Sequence, residues 1–112
     1  MRFLTMYSAP FNGGCGVPLS EQQIATLNKS IEEGKKSGKL IETLGLMPPT
    51  QGAQVSISDQ EISVTDGPFI EAKEFVGGFA IFEFASKEEA IESAKSFLQL
   101  MGAGTVEIRQ IM

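Results

Sequence analysis

The chain has no histidine among its 112 residues, one cysteine and one tyrosine. Without histidine it lacks the usual general base near neutral pH, the Ser-His and Cys-His dyads, and the commonest transition-metal ligand. The single cysteine, Cys15, cannot close an internal disulfide, which agrees with a reducing compartment. Basic residues are few: nine Lys and Arg stand against fourteen Asp and Glu, a net charge of -5. Apart from Lys35-Lys36 they are scattered, which excludes the clustered cation surface that a nucleic acid requires. No apolar run approaches a membrane span, and the opening MRFLTMYSAPF turns polar too early for the apolar core of a secretory signal. A cytoplasmic location is expected, with neither nucleic acid nor membrane as partner.

What remains is an ordinary globular composition, 42% hydrophobic and 21% charged, in a chain sized for one domain spanning 1–112. Phe3 to Tyr7 reads as a strand leading into the Gly/Pro/Asn-rich loop SAPFNGGCGVP. Ser20 and Gln23 have capping-box spacing, with Leu19 placed to staple onto Ile24. Ile24, Leu27 and Ile31 then follow at helical spacing, and Gly38 is the stop. LIETLGLMPP is a second strand ended by Pro48-Pro49. VSISDQEISV alternates strictly, so folding it about Asp59-Gln60 sets Ile57 opposite Ile62 and Val55 opposite Val64. Gln60 is a poor left-handed residue, which leaves a longer or irregular turn open. GFAIFEF is an aromatic strand. Ser86 and Glu89 form a second capping-box pattern, Ala90 to Met101 carry an apolar stripe closed by Gly102, and TVEIRQI is the last strand.

This order predicts an α+β fold, a ferredoxin-like βαββαβ unit with an inserted β-hairpin. Two helices cover one face of such a sheet. Alternation is read with Leu4, Met6, Val106 and Ile108 beneath the helices, leaving Phe3, Thr5, Tyr7, Glu107, Arg109 and Ile111 on the opposite face. A second copy of the chain is expected to cover that mixed face, enclosing a partly polar pocket.

The stretch VTDGPFIEAKEFVGG, residues 64–78, carries the most distinctive chemistry. Together with LMPP at 46–49, the hairpin, GGF at 77–79 and GTVEIR at 104–109, it resembles the DGPF group of the YCII-related proteins along nearly the whole chain. The resemblance implies a dimeric α/β barrel, hence a homodimer, in a largely uncharacterised family. Some members have a His-Asp pair proposed as an active site. With no histidine here, only the aspartate half can correspond, as Asp66. The family's occurrence beside sigma factors of the extracytoplasmic-function type implies a regulatory alternative.

Two readings of the motif stay open. In one, Asp66, Gly67, Pro68 and Phe69 form a rigid turn and nothing more: a carboxylate capping local amides, a glycine for positive φ, a proline fixing the exit and an aromatic anchor. In the other, the turn presents the Asp66 carboxylate to a pocket, where partial burial would raise its pKa toward that of a working acid or base. Gly67, Pro68, Phe69 and Lys73 are then the ligand-binding candidates of the motif, with Lys73 its nearest cation. Glu71, Lys73 and Glu74 also fit a solvated charged face. Arg109 is the candidate clamp for an anionic group and Tyr7 a candidate hydrogen-bond donor, although Glu107 and Arg109 equally suit a structural pair. The loop NGGCGVP lacks the Gly-Lys-Ser/Thr ending of a P-loop, and Cys15 has no histidine to serve as its base. No carboxylate cluster has metal-binding spacing, and no cofactor is implied. The leading expectation is a protein binding a small polar or anionic organic molecule, with Asp66 as its acid or base. The alternative is a non-catalytic regulatory or protein-interaction module.

Overall fold

The computed structural model of the chain describes residues 1–10, 19–47, 51–66 and 74–112. The described residues form six strands and two helices in the order β1 (Arg2–Pro10), α1 (Glu21–Ser37), β2 (Leu40–Gly45), β3 (Ala53–Ser58), β4 (Glu61–Asp66), β5 (Glu74–Glu83), α2 (Lys87–Met101) and β6 (Thr105–Gln110). Four strands form one antiparallel sheet in the order β2-β5-β1-β6, while among the described residues β3 and β4 pair with each other as a separate two-stranded sheet. With the hairpin set aside, this is the strand order of a split βαβ pair, compatible with a ferredoxin-like fold.

The helix boundaries follow from their caps. Ser20 Oγ accepts the Gln23 amide at 3.1 Å while the Gln23 side chain accepts the Ser20 amide at 2.8 Å, so the capping box closes in both directions. Gln23 Nε2 also donates to the Leu100 carbonyl at 2.9 Å, tying the start of α1 to the end of α2. Gly38 and Gly102, both at φ 81°, end the two helices in the left-handed conformation that glycine adopts without strain. At the second N-terminus Ser86 Oγ accepts the Glu89 amide at 3.2 Å. The Glu89 carboxylate does not complete a box: it lies 3.2 Å from Lys39 Nζ, an ion pair linking α2 to the entry of β2.

β1 and β5 are longer than their patterns predict. Ser8 to Pro10 continue β1 because β5 begins at Glu74, giving them the partners Val76, Phe75 and Glu74 past a bulge at Tyr7/Ser8. The hairpin has the predicted register, Ile57 opposite Ile62 and Val55 opposite Val64. Its turn is the two-residue form with Asp59 at φ 49° and Gln60 at φ 67°, both left-handed.

The face assignment of β1 is the main correction. β1 and β6 pair with Thr5 opposite Ile108, Tyr7 opposite Val106, Leu4 opposite Arg109 and Met6 opposite Glu107. Opposed residues of an antiparallel pair share a face, so Phe3, Thr5 and Tyr7 lie with Val106 and Ile108 beneath the helices. Leu4 and Met6 lie with Glu107 and Arg109 on the open face. Phe3, 2% exposed, joins Phe84 and Ala90 in the core, with Phe82 and Ile108 packed against them. β1 is apolar on both sides, so its own alternation does not distinguish inside from outside; pairing and the bulk of Phe3 decide.

Candidate functional site

On β5 and β2 the side chains of the inner face shrink from one end of the sheet to the other. The first row across β1, β5 and β2 is Phe3, Phe82 and Leu40, which fill the space under the helices. The next is Thr5, Ala80 and Thr43, and the third is Tyr7, Gly78 and Gly45. A Cβ on Gly78 would come within 2.9 Å of the Leu44 carbonyl oxygen, so that floor position admits no larger residue without a shift. The helices above are small on their inner sides too, with Ser30 and Gly34 on α1 and Ser93 and Ala94 on α2. A Cβ on Gly34 would lie 2.9 Å from Leu40 Cβ, which fixes how closely α1 approaches β2.

Small residues above and below leave a cavity of about 1070 Å³ between the helices and the sheet. The space opens to solvent on one side, and its volume is that of a small-molecule cleft. The body of the cavity is apolar, lined by Leu27, Ile31, Phe82, Phe97 and Leu100. Its hydroxyls are already committed as donors on the floor: Thr5 Oγ1 donates to the Ala80 carbonyl at 3.3 Å, Thr43 Oγ1 to the Phe79 carbonyl at 3.2 Å, and Tyr7 Oη to the Ala103 carbonyl at 2.7 Å. The remaining lone pairs on these oxygens make the floor a row of acceptors. Among the described lining residues the ionisable groups besides Tyr7 are Glu33 and Lys39, and Lys39 is paired with Glu89.

Tyr7 sits at the closed end of the α2–β6 connection. Its ring stands edge-on to Phe97, centroids 5.1 Å apart at 85°. Gly104, at φ 110°, lets the backbone wrap the phenol: a Cβ there would lie 2.5 Å from Tyr7 Cε1. Burial holds the Tyr7 phenol above the ordinary tyrosine pKa, favouring the protonated form that donates to Ala103.

The predicted site residues are not all brought together. Tyr7 lines the cavity, whereas Arg109 belongs to the open face, exposed and 4.0 Å from Glu107, so the sheet separates the two within one chain. Asp66 is the last residue of β4, opposite Ala53, and is described through its backbone alone. Gly67, Pro68, Phe69 and Lys73, with Glu71 and Cys15, lie outside the described residues. Sequence reasoning missed the floor row Thr5-Ala80-Thr43 and the small inner residues of both helices. The signal was present in Ser93-Ala94 and Ser30 beside larger apolar stripe positions, where a filled core would carry leucine. Among the described residues no group of three His, Cys, Asp or Glu is arranged to hold a metal ion, and no helix is long and apolar enough to cross a membrane.

Residues 15–112 match the model of the YCII-related domain. The chain belongs to the YCII-related family. It is also 35% identical over 77 residues to an uncharacterised protein of Rhizobium meliloti (strain 1021), a match spanning 68% of this chain and 62% of that relative. The family match therefore takes in both helices, the hairpin and the small-residue rows of β2 and β5.

Proposed function

We propose that this YCII-related protein binds a small organic molecule in the cavity between helices and sheet. The observation that carries this is the paired absence of bulk, with Ala80, Gly78 and Gly45 below and Ser30, Gly34, Ser93 and Ala94 above, around about 1070 Å³. The lining suits a molecule with an apolar body and a polar end that donates hydrogen bonds to Thr5, Tyr7 and Thr43. This is less anionic than the sequence alone suggests, because Lys39 is the one cation in the described lining and is already paired. Asp66 is the candidate acid or base in this reading, and Gly67, Pro68, Phe69 and Lys73 the candidate contacts. Their support is connectivity: the stretch runs from β4 into β5, whose Gly77 and Gly78 line the cavity. Arg109 is assigned instead to a homodimer formed through the open face.

Mass spectrometry of the purified protein under native conditions, followed by thermal-shift screening of the extracted compound and its analogues, tests the proposal. Ala80→Ile fits a strand and fills the floor, so it should raise melting and abolish binding. An Ala80→Ile protein that binds as the wild type does would end the assignment of this cavity. Asp66→Asn should leave melting nearly unchanged and weaken binding or turnover; full activity would remove Asp66 from the site. A second reading, a non-catalytic protein-interaction module, draws on the exposed apolar side of the hairpin.

A further inference from the structure

The β3–β4 hairpin has one polar face, with Ser56 opposite Ser63 and Gln54 opposite Thr65, and one apolar face made by Val55, Ile57, Ile62 and Val64. Those four apolar side chains are 63–70% exposed. Together they present on the order of 400 Å² of apolar surface, the size at which a patch signals an interaction site. A two-stranded hairpin without packing is marginal in water, so its stability calls for a covering surface. The radius of gyration is 15.8 Å, against about 13 Å for a compact domain of this length, as expected for a chain carrying an arm.

The four-stranded sheet has the complementary feature. Its open face carries Leu4, Met6, Phe79, Ile81 and Leu44, a strip bordered by Arg109 at the β6 edge. We propose that β3–β4 is an exchanged arm: in a two-fold pair of chains, each hairpin lays its apolar face on the open sheet face of the second copy. The inference rests on the homodimer proposed above and names the element that forms it. Area supports a second copy as the occupant. Each chain would contribute one arm face and one sheet face; the sheet face offers less area than the arm, since Leu4, Met6, Phe79 and Ile81 are half-buried in the single chain and Leu44 is exposed, and the two together approach the roughly 800 Å² per partner of a standard interface.

Sedimentation equilibrium of the whole chain across the micromolar range, with circular dichroism as the folding control, tests the arm. The double variant Ile57→Glu/Ile62→Glu should dissociate roughly 100-fold more readily than wild type or worse, because both side chains sit at the centre of the buried patch. Met6→Glu should do the same from the sheet side. Mixing the two variants should restore part of the association, since the pair keeps one intact arm against one intact sheet face. In the wild type, amide exchange in β3 and β4 should slow as protein concentration rises, which needs no variant to fold. A double variant that pairs as tightly as wild type, or arm amides whose exchange ignores concentration, overturns the arm while leaving the homodimer standing. A wild-type chain that stays monomeric throughout overturns both, and leaves the cavity proposal untouched.

Discussion

The four-stranded sheet and the β3–β4 hairpin build apolar faces from similar residues and dispose of them in opposite ways. In the sheet, one face disappears beneath α1 and α2, and Phe3 is 2% exposed. In the hairpin, Ile57 and Ile62 face each other across a well-formed ladder and are still about 70% exposed. Patterning therefore establishes that residues share a face, but what covers that face is a property of the rest of the fold. The sheet shows this a second time within itself, because its inner face is filled at the Phe3-Phe82-Leu40 row and hollow two rows later.

The largest effect expected from breaking this comparison is Phe3→Ala. Removing a fully buried aromatic at the filled row should lower the unfolding free energy by about 3–5 kcal/mol. Met6→Ala, on the open face of the same strand, should cost less than about 1.5 kcal/mol in the dissociated chain, a smaller loss than burial would give. Urea unfolding at low protein concentration measures both. Equal losses, or a reversed order, would put β1 the other way round in the sheet.

The two regions also differ in how much of them is legible in the amino-acid sequence. The register of the hairpin could be read residue by residue, because strict alternation in VSIS and EISV is a local signal, whereas Gln60 left the form of its turn open. The capping boxes and glycine stops of the helices are local in the same way, and they locate α1 and α2 closely. The orientation of β1 was not legible, since Phe3, Thr5 and Tyr7 on one side and Leu4 and Met6 on the other are both largely apolar. Its two sides are told apart only by pairing with β6, a contact more than 90 residues away in the chain. Tyr7 and Arg109, which alternation alone assigns to one face, stand on opposite sides of the pleat. The cavity was hidden for a related reason: Thr5, Ala80 and Thr43 form a row only after three separated strands are aligned.

A middle-sized effect concerns Tyr7. Its phenol titrates above the ordinary value because burial penalises the phenolate. The folded chain therefore binds this proton more tightly than the unfolded chain, and the contribution is fully present below the unfolded pKa of about 10. Stability should fall as pH rises from there through the raised folded value. Tyr7 is the one tyrosine and there is no tryptophan, so the ultraviolet absorbance of phenolate reports this residue alone. Tyr7→Phe should abolish that titration and lower stability near neutral pH by about 0.5–1.5 kcal/mol through the lost hydrogen bond to Ala103. A phenolate signal appearing at the ordinary value would show that the α2–β6 connection does not enclose the ring.

The smallest effect is a gain, and it belongs to the hairpin. Asp59 and Gln60 both occupy the left-handed region, at φ 49° and 67°. Aspartate tolerates that region because its short side chain bonds locally, whereas the longer glutamine meets the usual clash between Cβ and backbone. Gln60→Gly creates the Asp-Gly pair that two-residue turns favour, at the cost of a looser unfolded chain. The balance should stabilise the hairpin by about 0.5–1 kcal/mol. Because the hairpin is a sheet of its own, the gain should appear as slower amide exchange confined to β3 and β4, with little change in the protection of β1 and β5. If the arm is seated on a second copy, the same substitution should tighten the pair as well, since a preformed arm loses less freedom on docking. A gain that spread evenly over the four-stranded sheet would mean that hairpin and sheet unfold as one unit within a single chain, and the contrast between them would then be one of exposure rather than of independence.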